Sequence, residues 1–214
     1  MKHGPTNTRF LRELKSTLKL SELQRKLVIG TVLGDGCLIS SRSGKTARLQ
    51  VRQEAGHKEF VDWKYQFFQG WVLTQPRYDR FNNSFVFRTI CHPDLMEIRK
   101  YFYSDTGKRI PENIKDYLKD PLSLAVWLMD DGNGDKRCSC FRLSTYAFGK
   151  EGNNLLIKCL SDNFSLRTTM IKDCKGFYLY FPSDSVKDLY KLINKFVIPC
   201  MGYKFAKIKS SITP

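Results

Sequence analysis

The chain has 214 residues, 42% hydrophobic, 13% aromatic and 27% charged, a folded composition that excludes a disordered or collagen-like chain and suits one domain or two small ones. Lys and Arg total 36 against 21 Asp and Glu, and the net charge of +15 favours a polyanionic partner, nucleic acid before an acidic membrane surface. No apolar run reaches the ~20 residues of a membrane span, and the start, MKHGPTNTRFLRELK, lacks the apolar core of a signal peptide, so an intracellular protein is expected.

Residues 1–20 match no pattern beyond a short amphipathic helix, with Phe10, Leu11, Leu14 and Leu18 inside and Arg9, Arg12, Lys15 and Lys19 outside. That helix would dock on the first half of the chain or touch DNA phosphate. Ser21-Glu22-Leu23-Gln24 has capping-box form and predicts a helix through Leu27, Val28, Ile29, Val32 and Leu33 that stops at Gly34-Asp35-Gly36. Strands are predicted at Cys37–Ser40 and Arg48–Gln53, an aromatic-rich helix over 57–72, and a hairpin of Arg77–Asp79 with Ser84–Thr89 around Asn82-Asn83. Leu95, Ile98 and Phe102 mark a helix after Pro93.

The same order then returns. Asp120-Pro121 is an N-cap followed by proline at the first helical position, and the helix through Leu122, Leu124, Ala125, Val126, Trp127 and Leu128 stops at Asp130-Asp131-Gly132. Strand material comes next over 137–146. Leu155, Leu156, Cys159, Leu160 and Phe164 make a helical stripe, Arg167–Asp173 and Phe177–Phe181 a hairpin closed by Lys175-Gly176, and Val186, Leu189, Tyr190, Ile193 and Val197 a last helix. The division is a 1–20 extension, a 21–119 first half and a 120–214 second half, related by order more than by identity.

Asp35 and Asp131 each end an apolar helix and each precede glycine, 96 residues apart. A carboxylate is disfavoured at the negative pole of a helix, so each alone reads as a C-cap. As a pair at matching places they suit a divalent cation, with carboxylate, free backbone carbonyls and water as ligands.

Val28-Ile29-Gly30-Thr31-Val32-Leu33-Gly34-Asp35-Gly36 and Leu124-Ala125-Val126-Trp127-Leu128-Met129-Asp130-Asp131-Gly132 resemble two copies of the LAGLIDADG motif. The run from Pro121 to Gly132 and the segment Ile198-Pro199-Cys200-Met201-Gly202-Tyr203-Lys204 extend the resemblance to the single-chain, two-motif homing endonucleases over most of 21–205. The fold so implied is α+β, with two pseudo-symmetric αββαββα halves. Each half carries a curved antiparallel sheet, the two forming a DNA-binding saddle joined at a two-helix interface.

The resemblance implies cleavage of both strands of a long, asymmetric DNA site by metal-assisted hydrolysis, leaving short 3′ overhangs. It places Mg²⁺ at Asp35 and Asp131, with the carbonyls of Gly34 and Asp130 facing the metals. Mn²⁺ should substitute, and Ca²⁺ should support binding without efficient cutting. Lys108 and Lys204 fall where the family places a basic residue near each metal. Gln53 would position water in the first half, and Tyr146 or Thr145 in the second. The earlier acidic motif position, which is not the metal ligand, is Leu33 in one copy and Met129 in the other. Gly30 and Gly34 face the partner helix in the first copy where the second has Val126 and Asp130, so an asymmetric helix contact is expected.

DNA reading should fall to the strands. First-half candidates are Arg42, Lys45, Arg48, Gln50, Arg52, Arg77, Arg80, Asn82, Asn83 and Arg88. Those of the second half are Lys136, Arg137, Arg142, Ser144, Arg167, Thr169, Lys172 and Lys175. Arg48, Gln50 and Arg52 share one strand face and Leu49 and Val51 the other. Arg suits guanine and Gln suits adenine in the major groove, although an ordinary amphipathic strand alternates in the same way. Expected partners are double-stranded DNA and, as an additional one, the protein's own intron RNA, with no membrane and a monomeric chain. The compartment is bacterial cytoplasm, mitochondrion or chloroplast. An intron RNA maturase or a catalytically silent DNA-binding protein would use the same fold. His3, His57 and His92 lack the mutual spacing of ligands or a general base, and the seven cysteines, with no CxxC pair, read as reduced apolar fillers.

Overall fold

The computed structural model describes residues 9–134 and 140–206. Helix α1 (Arg9–Thr17) docks on the first half, where the backbone carbonyl of Lys15 accepts from His92 Nε2 at 3.2 Å and the N–H of Leu20 donates to Asp94 at 2.9 Å. Phe10, expected inside, is 64% exposed. Helix α2 (Glu22–Leu33) starts with the predicted capping box. Ser21 Oγ accepts from the Gln24 N–H, and Gln24 Oε1 accepts from the Ser21 N–H. Its last seven residues are all buried, the mark of a helix enclosed on every side.

The first half continues with β1 (Cys37–Ser40), β2 (Ala47–Glu54), α3 (Lys58–Gln66), β3 (Arg77–Asp79), β4 (Ser84–Arg88) and α4 (Pro93–Phe102). A small hairpin, β5 (Tyr103–Ser104) with β6 (Gly107–Lys108), and α5 (Ile114–Tyr117) lead to the second half. That half comprises α6 (Pro121–Asp131), β7 (Gly132–Gly134), β8 (Phe141–Leu143), α7 (Gly149–Phe164), β9 (Thr169–Asp173), β10 (Gly176–Phe181) and α8 (Ser183–Ile193). Both halves are therefore αββαββα. Their antiparallel sheets have matching strand orders, β1-β2-β4-β3 and β7-β8-β10-β9. A single apolar cluster runs through both. Among the described residues, no helix is long and apolar enough to cross a membrane.

The structure departs from the expected elements at four places. Helix α3 ends at Gln66 instead of reaching Val72, because the chain turns over Gln69–Trp71 so that the Trp71 carbonyl accepts from Ile90 N–H at 2.7 Å. Gly132 is not only a helix stop; it opens β7. A Cβ there would lie 2.3 Å from the Leu128 carbonyl and from the Phe141 ring, so only glycine lets the strand leave the helix at that angle. Helix α8 ends at Ile193, and Pro199–Phe205 forms a separate 3-10 segment. Cys140 is disulfide-bonded, which corrects the expectation of seven reduced cysteines, whereas Cys37, Cys91, Cys159, Cys174 and Cys200 are free.

Helices α2 and α6 pack against each other at the centre. A Cβ on Gly30 would stand 2.4 Å from the Ser123 carbonyl and 2.8 Å from Val126 Cβ, and one on Gly34 would stand 2.5 Å from Asp130 Cβ. Each glycine of α2 thus accepts a side chain of α6, the asymmetric contact the two motifs predict. Ser123 Oγ donates to the Lys26 carbonyl at 2.9 Å, and Lys26 pairs with the α6 N-cap Asp120 at 2.6 Å.

Candidate active site

The close packing of α2 and α6 brings their C-terminal ends, and so Asp35, Asp130 and Asp131, together. Gln53 is 8% exposed near the end of β2, and its Nε2 donates to both Asp35 Oδ2 at 3.0 Å and Asp130 Oδ1 at 2.8 Å. Lys64 of α3 is fully buried, with Nζ at 2.8 Å from each Asp130 oxygen and 4.1 Å from the Phe60 ring centre. The Asp130 side chain is therefore committed to Lys64 and Gln53, while its backbone carbonyl remains at the helix end.

Two lysines lie against those helix ends. Lys108 Nζ, on β6, donates to the Gly34 carbonyl at 2.5 Å, and Lys204 Nζ donates to the carbonyls of Met129 and Asp130 at 2.6 Å. A cation is favoured there, where the last carbonyls of a helix have no N–H partner. Burial is the first cause of the raised carboxyl pKa values. It takes Asp130 up to about 6 against the pull of Lys64, and Asp131 up to about 7 with repulsion from Asp35 and Asp130 added. The same burial pulls Lys108 and Lys204 below the ordinary lysine value, opposed by the aspartates.

This donor set fits a hard divalent cation. Two carboxylates and several helix-end carbonyls converge, and burial with repulsion from its acidic neighbours disfavours the charge on Asp131. Among the described residues, no group of three or more His, Cys, Asp or Glu side chains could hold a metal. A cation would therefore complete its shell with carbonyl oxygens, water or phosphate, as Mg²⁺ commonly does.

A cavity of about 590 Å³ opens from Asp35, Gln53, Asp130 and Lys204 onto Gln50, Arg52 and Ser84 of the first sheet and Asn82 of its β3–β4 turn. The predicted alternation of β2 holds, with Leu49 and Val51 buried and Arg48, Gln50 and Arg52 half-buried on the opposite face. Gln50 Oε1 accepts from Arg88 Nε at 2.5 Å, and Arg52 donates to Asp79 at 2.7 Å and Ser84 at 3.0 Å. Arg48, Arg77 and Arg88 line a second cavity of about 380 Å³, and burial together with Arg48 and Arg77 lowers the Arg88 pKa. Arg42 and Lys45 stand exposed in the β1–β2 turn, and Arg80, Asn82 and Asn83 in the β3–β4 turn.

In the second half, Arg142, Ser144 and Lys175 line a cavity of about 270 Å³ with Asn133, Tyr146 and Asp173. Thr169 and Lys172 are exposed on β9. Arg167 is drawn away to Asp184 at the start of α8. Lys136 and Arg137 lie outside the described residues. Neither residue expected to position water here reaches Asp131. Thr145 is buried and donates to Asn153, and the Tyr146 hydroxyl donates to Asp173 at 2.7 Å.

Two features escaped sequence reasoning. One is Lys64, whose signal was a lysine four residues after Phe60 on a buried helix face, opposite an extra acid in the second motif. The other is a contact between halves, in which His57 at the cavity rim stacks on Tyr203 with Nε2 3.0 Å from its hydroxyl. No local pattern marks that contact.

A duplicated αββαββα chain with two paired helices, an aspartate at each helix end and basic sheet faces beside them defines the two-motif, single-chain class of DNA endonuclease fold. The model of the LAGLIDADG DNA endonuclease family matches residues 25–189, and the chain belongs to that family. The probable intron-encoded endonuclease 1 of Wickerhamomyces canadensis is 28% identical over 94% of this chain and 91% of its own length. The cytochrome b mRNA maturase bI2 of Debaryomyces hansenii is 28% identical over 84% of this chain and 72% of its own. The solved structure of the homing endonuclease I-WcaI bound to its DNA recognition sequence superposes with a TM-score of 0.84 at 26% identity, covering 94% of each chain.

Proposed function

We propose that this chain cuts both strands of a long, asymmetric DNA target by phosphodiester hydrolysis at Asp35 and Asp131, leaving short 3′ overhangs. The observation that carries the reading is the convergence of both aspartates, Lys108 and Lys204 at two adjoining helix ends beside the basic sheet faces. Mg²⁺, replaceable by Mn²⁺, would be held by the two carboxylates with the carbonyls of Gly34 and Asp130. It would supply activated water and charge neutralisation at the phosphate. Lys108 and Lys204 would then donate to the phosphate or its water network, and Gln53 would hold Asp35 in place. Arg48, Gln50, Arg52 and Arg88 would read bases, and the turn residues Arg42, Lys45 and Arg80 would grip phosphate. Because both halves lie in one chain, the active species is a monomer and its target need not be palindromic. It acts inside the cell, in the compartment of its host gene.

The test is cleavage of a supercoiled plasmid carrying the uninterrupted host-gene junction. One double-strand cut in Mg²⁺ is expected, with binding but little cutting in Ca²⁺, whose looser coordination misplaces the water. Equal cutting in both ions would contradict the metal assignment. Affinity should also fall steeply with salt, by roughly 10³-fold between 50 and 200 mM for about six phosphate contacts. A flat salt response in a filter-binding titration would argue against this interface. The maturase among the relatives supports intron RNA as an additional partner, and a gel-shift with the folded intron tests it.

A further inference from the structure

Lys64 and Asp130 form an ion pair with side chains only 1% and 0% exposed. Such a pair is an expensive way to fill a core, since apolar side chains of similar volume usually serve as well or better. The pair also has no counterpart across the pseudo-two-fold. The first motif has Gly34 where the second has Asp130. The buried residues of α7, the second half's equivalent of α3, are Gly152, Asn153, Leu156, Cys159, Leu160 and Phe164, with no lysine among them.

What the pair touches is more telling than what it costs. Lys64 comes from the first half and Asp130 from the second. Asp130 Oδ1 accepts from Gln53 Nε2, and the same nitrogen donates its other hydrogen to Asp35 Oδ2. An amide nitrogen has two hydrogens, so both are used and the Gln53 nitrogen is held between the two carboxylates. The chain of contacts Lys64, Asp130, Gln53, Asp35 ends on one of the two proposed catalytic carboxylates. Among the described residues, no hydrogen bond from it reaches the carboxylate of Asp131.

Resting on the nuclease reading above, we infer that the Lys64–Asp130 pair is a positioning device for Asp35, acting through Gln53, which makes the two cleavage centres unequal. With the pair intact, Gln53 cannot turn its amide away from Asp35. With the pair removed, Gln53 loses one acceptor and Asp35 loses its fixed rotamer, while the backbone carbonyl of Asp130 and the Asp131 side are untouched.

The experiment compares Lys64→Met with Lys64→Met/Asp130→Leu, the second replacing both charges by side chains of similar outline. Thermal midpoint and strand-resolved cutting of the supercoiled target are measured for each and for the unmodified protein. Lys64→Met alone leaves a buried carboxylate without its cation and should melt early. The double variant should recover the midpoint yet cut one strand roughly 10-fold more slowly than the other, the scale of losing an outer support of a metal ligand, so that nicked circle accumulates. A double variant that cuts both strands at the unmodified rates, or slows both equally, would show that the pair only supports the fold and would overturn the inference. If the unmodified protein itself does not cut, the nuclease reading falls and takes this inference with it, an outcome distinct from the others.

Discussion

Asp35→Asn and Asp131→Asn are each expected to reduce double-strand cutting in Mg²⁺ by on the order of 10³-fold or more, the equivalent of several kcal/mol of lost metal-borne stabilisation. Asn keeps the outline of the side chain but removes the charge that holds the cation. The helix ends and the sheet faces do not depend on that charge. DNA affinity should therefore hold or rise slightly, since one negative charge facing phosphate has gone. A plasmid assay paired with a Ca²⁺ gel-shift separates the two effects. Normal cutting by either variant would remove that aspartate from the proposed site, and loss of binding in parallel with cutting would mean that the substitution had disturbed the fold.

The second large effect is structural. Gly30→Ala places a methyl group 2.4 Å from the Ser123 carbonyl and 2.8 Å from Val126 Cβ. The first of these is backbone and cannot swing aside, so α2 and α6 must part. Overpacking of this kind costs about 1–3 kcal/mol or more, and each kcal/mol lowers the melting midpoint of a chain this size by about 2–4 °C. Cutting should fall as well, because both aspartates are positioned by the same helix pair. Gly70→Ala is the matched control, since a Cβ there meets nothing within 4 Å. Scanning calorimetry of the two variants decides the matter, and an unchanged midpoint for Gly30→Ala would refute this account of the interface.

The local architecture was legible wherever the code is local. Ser21 and Gln24 specify the capping box that forms, Asp120-Pro121 starts α6, and the β2 alternation delivers its polar and apolar faces as expected. The motif copies carried the central contact too, because glycine against valine and glycine against aspartate can be read from two aligned helices. The aligned helix ends bring Asp35 and Asp130 together, whereas the places of Gln53, Lys108 and Lys204 beside them were expected only from the resemblance to the family. What the sequence withheld depends on distant partners. Lys64 lies 66 residues from the acid it neutralises, and a lysine in an amphipathic helix looks like any solvated one. Tyr146 donates to Asp173 on β9, 27 residues further along the chain, instead of reaching Asp131. The early end of α3 follows from a backbone bond to Ile90, far along the chain.

The lock-and-recess contact between α2 and α6 bears on how freely the halves could be exchanged. Two copies of the first half would set Gly30 and Gly34 against their own images and leave a void at the axis. Two copies of the second would crowd Val126 against Val126 and bury a pair of Asp130 carboxylates without Lys64. Each half is thus shaped for the other and against itself. Expressed as separate polypeptides, they should assemble as an obligate heterodimer, which makes the interface an orthogonal pairing module. By the same geometry neither half could pair with a second copy of itself without first rebuilding the centre of the molecule.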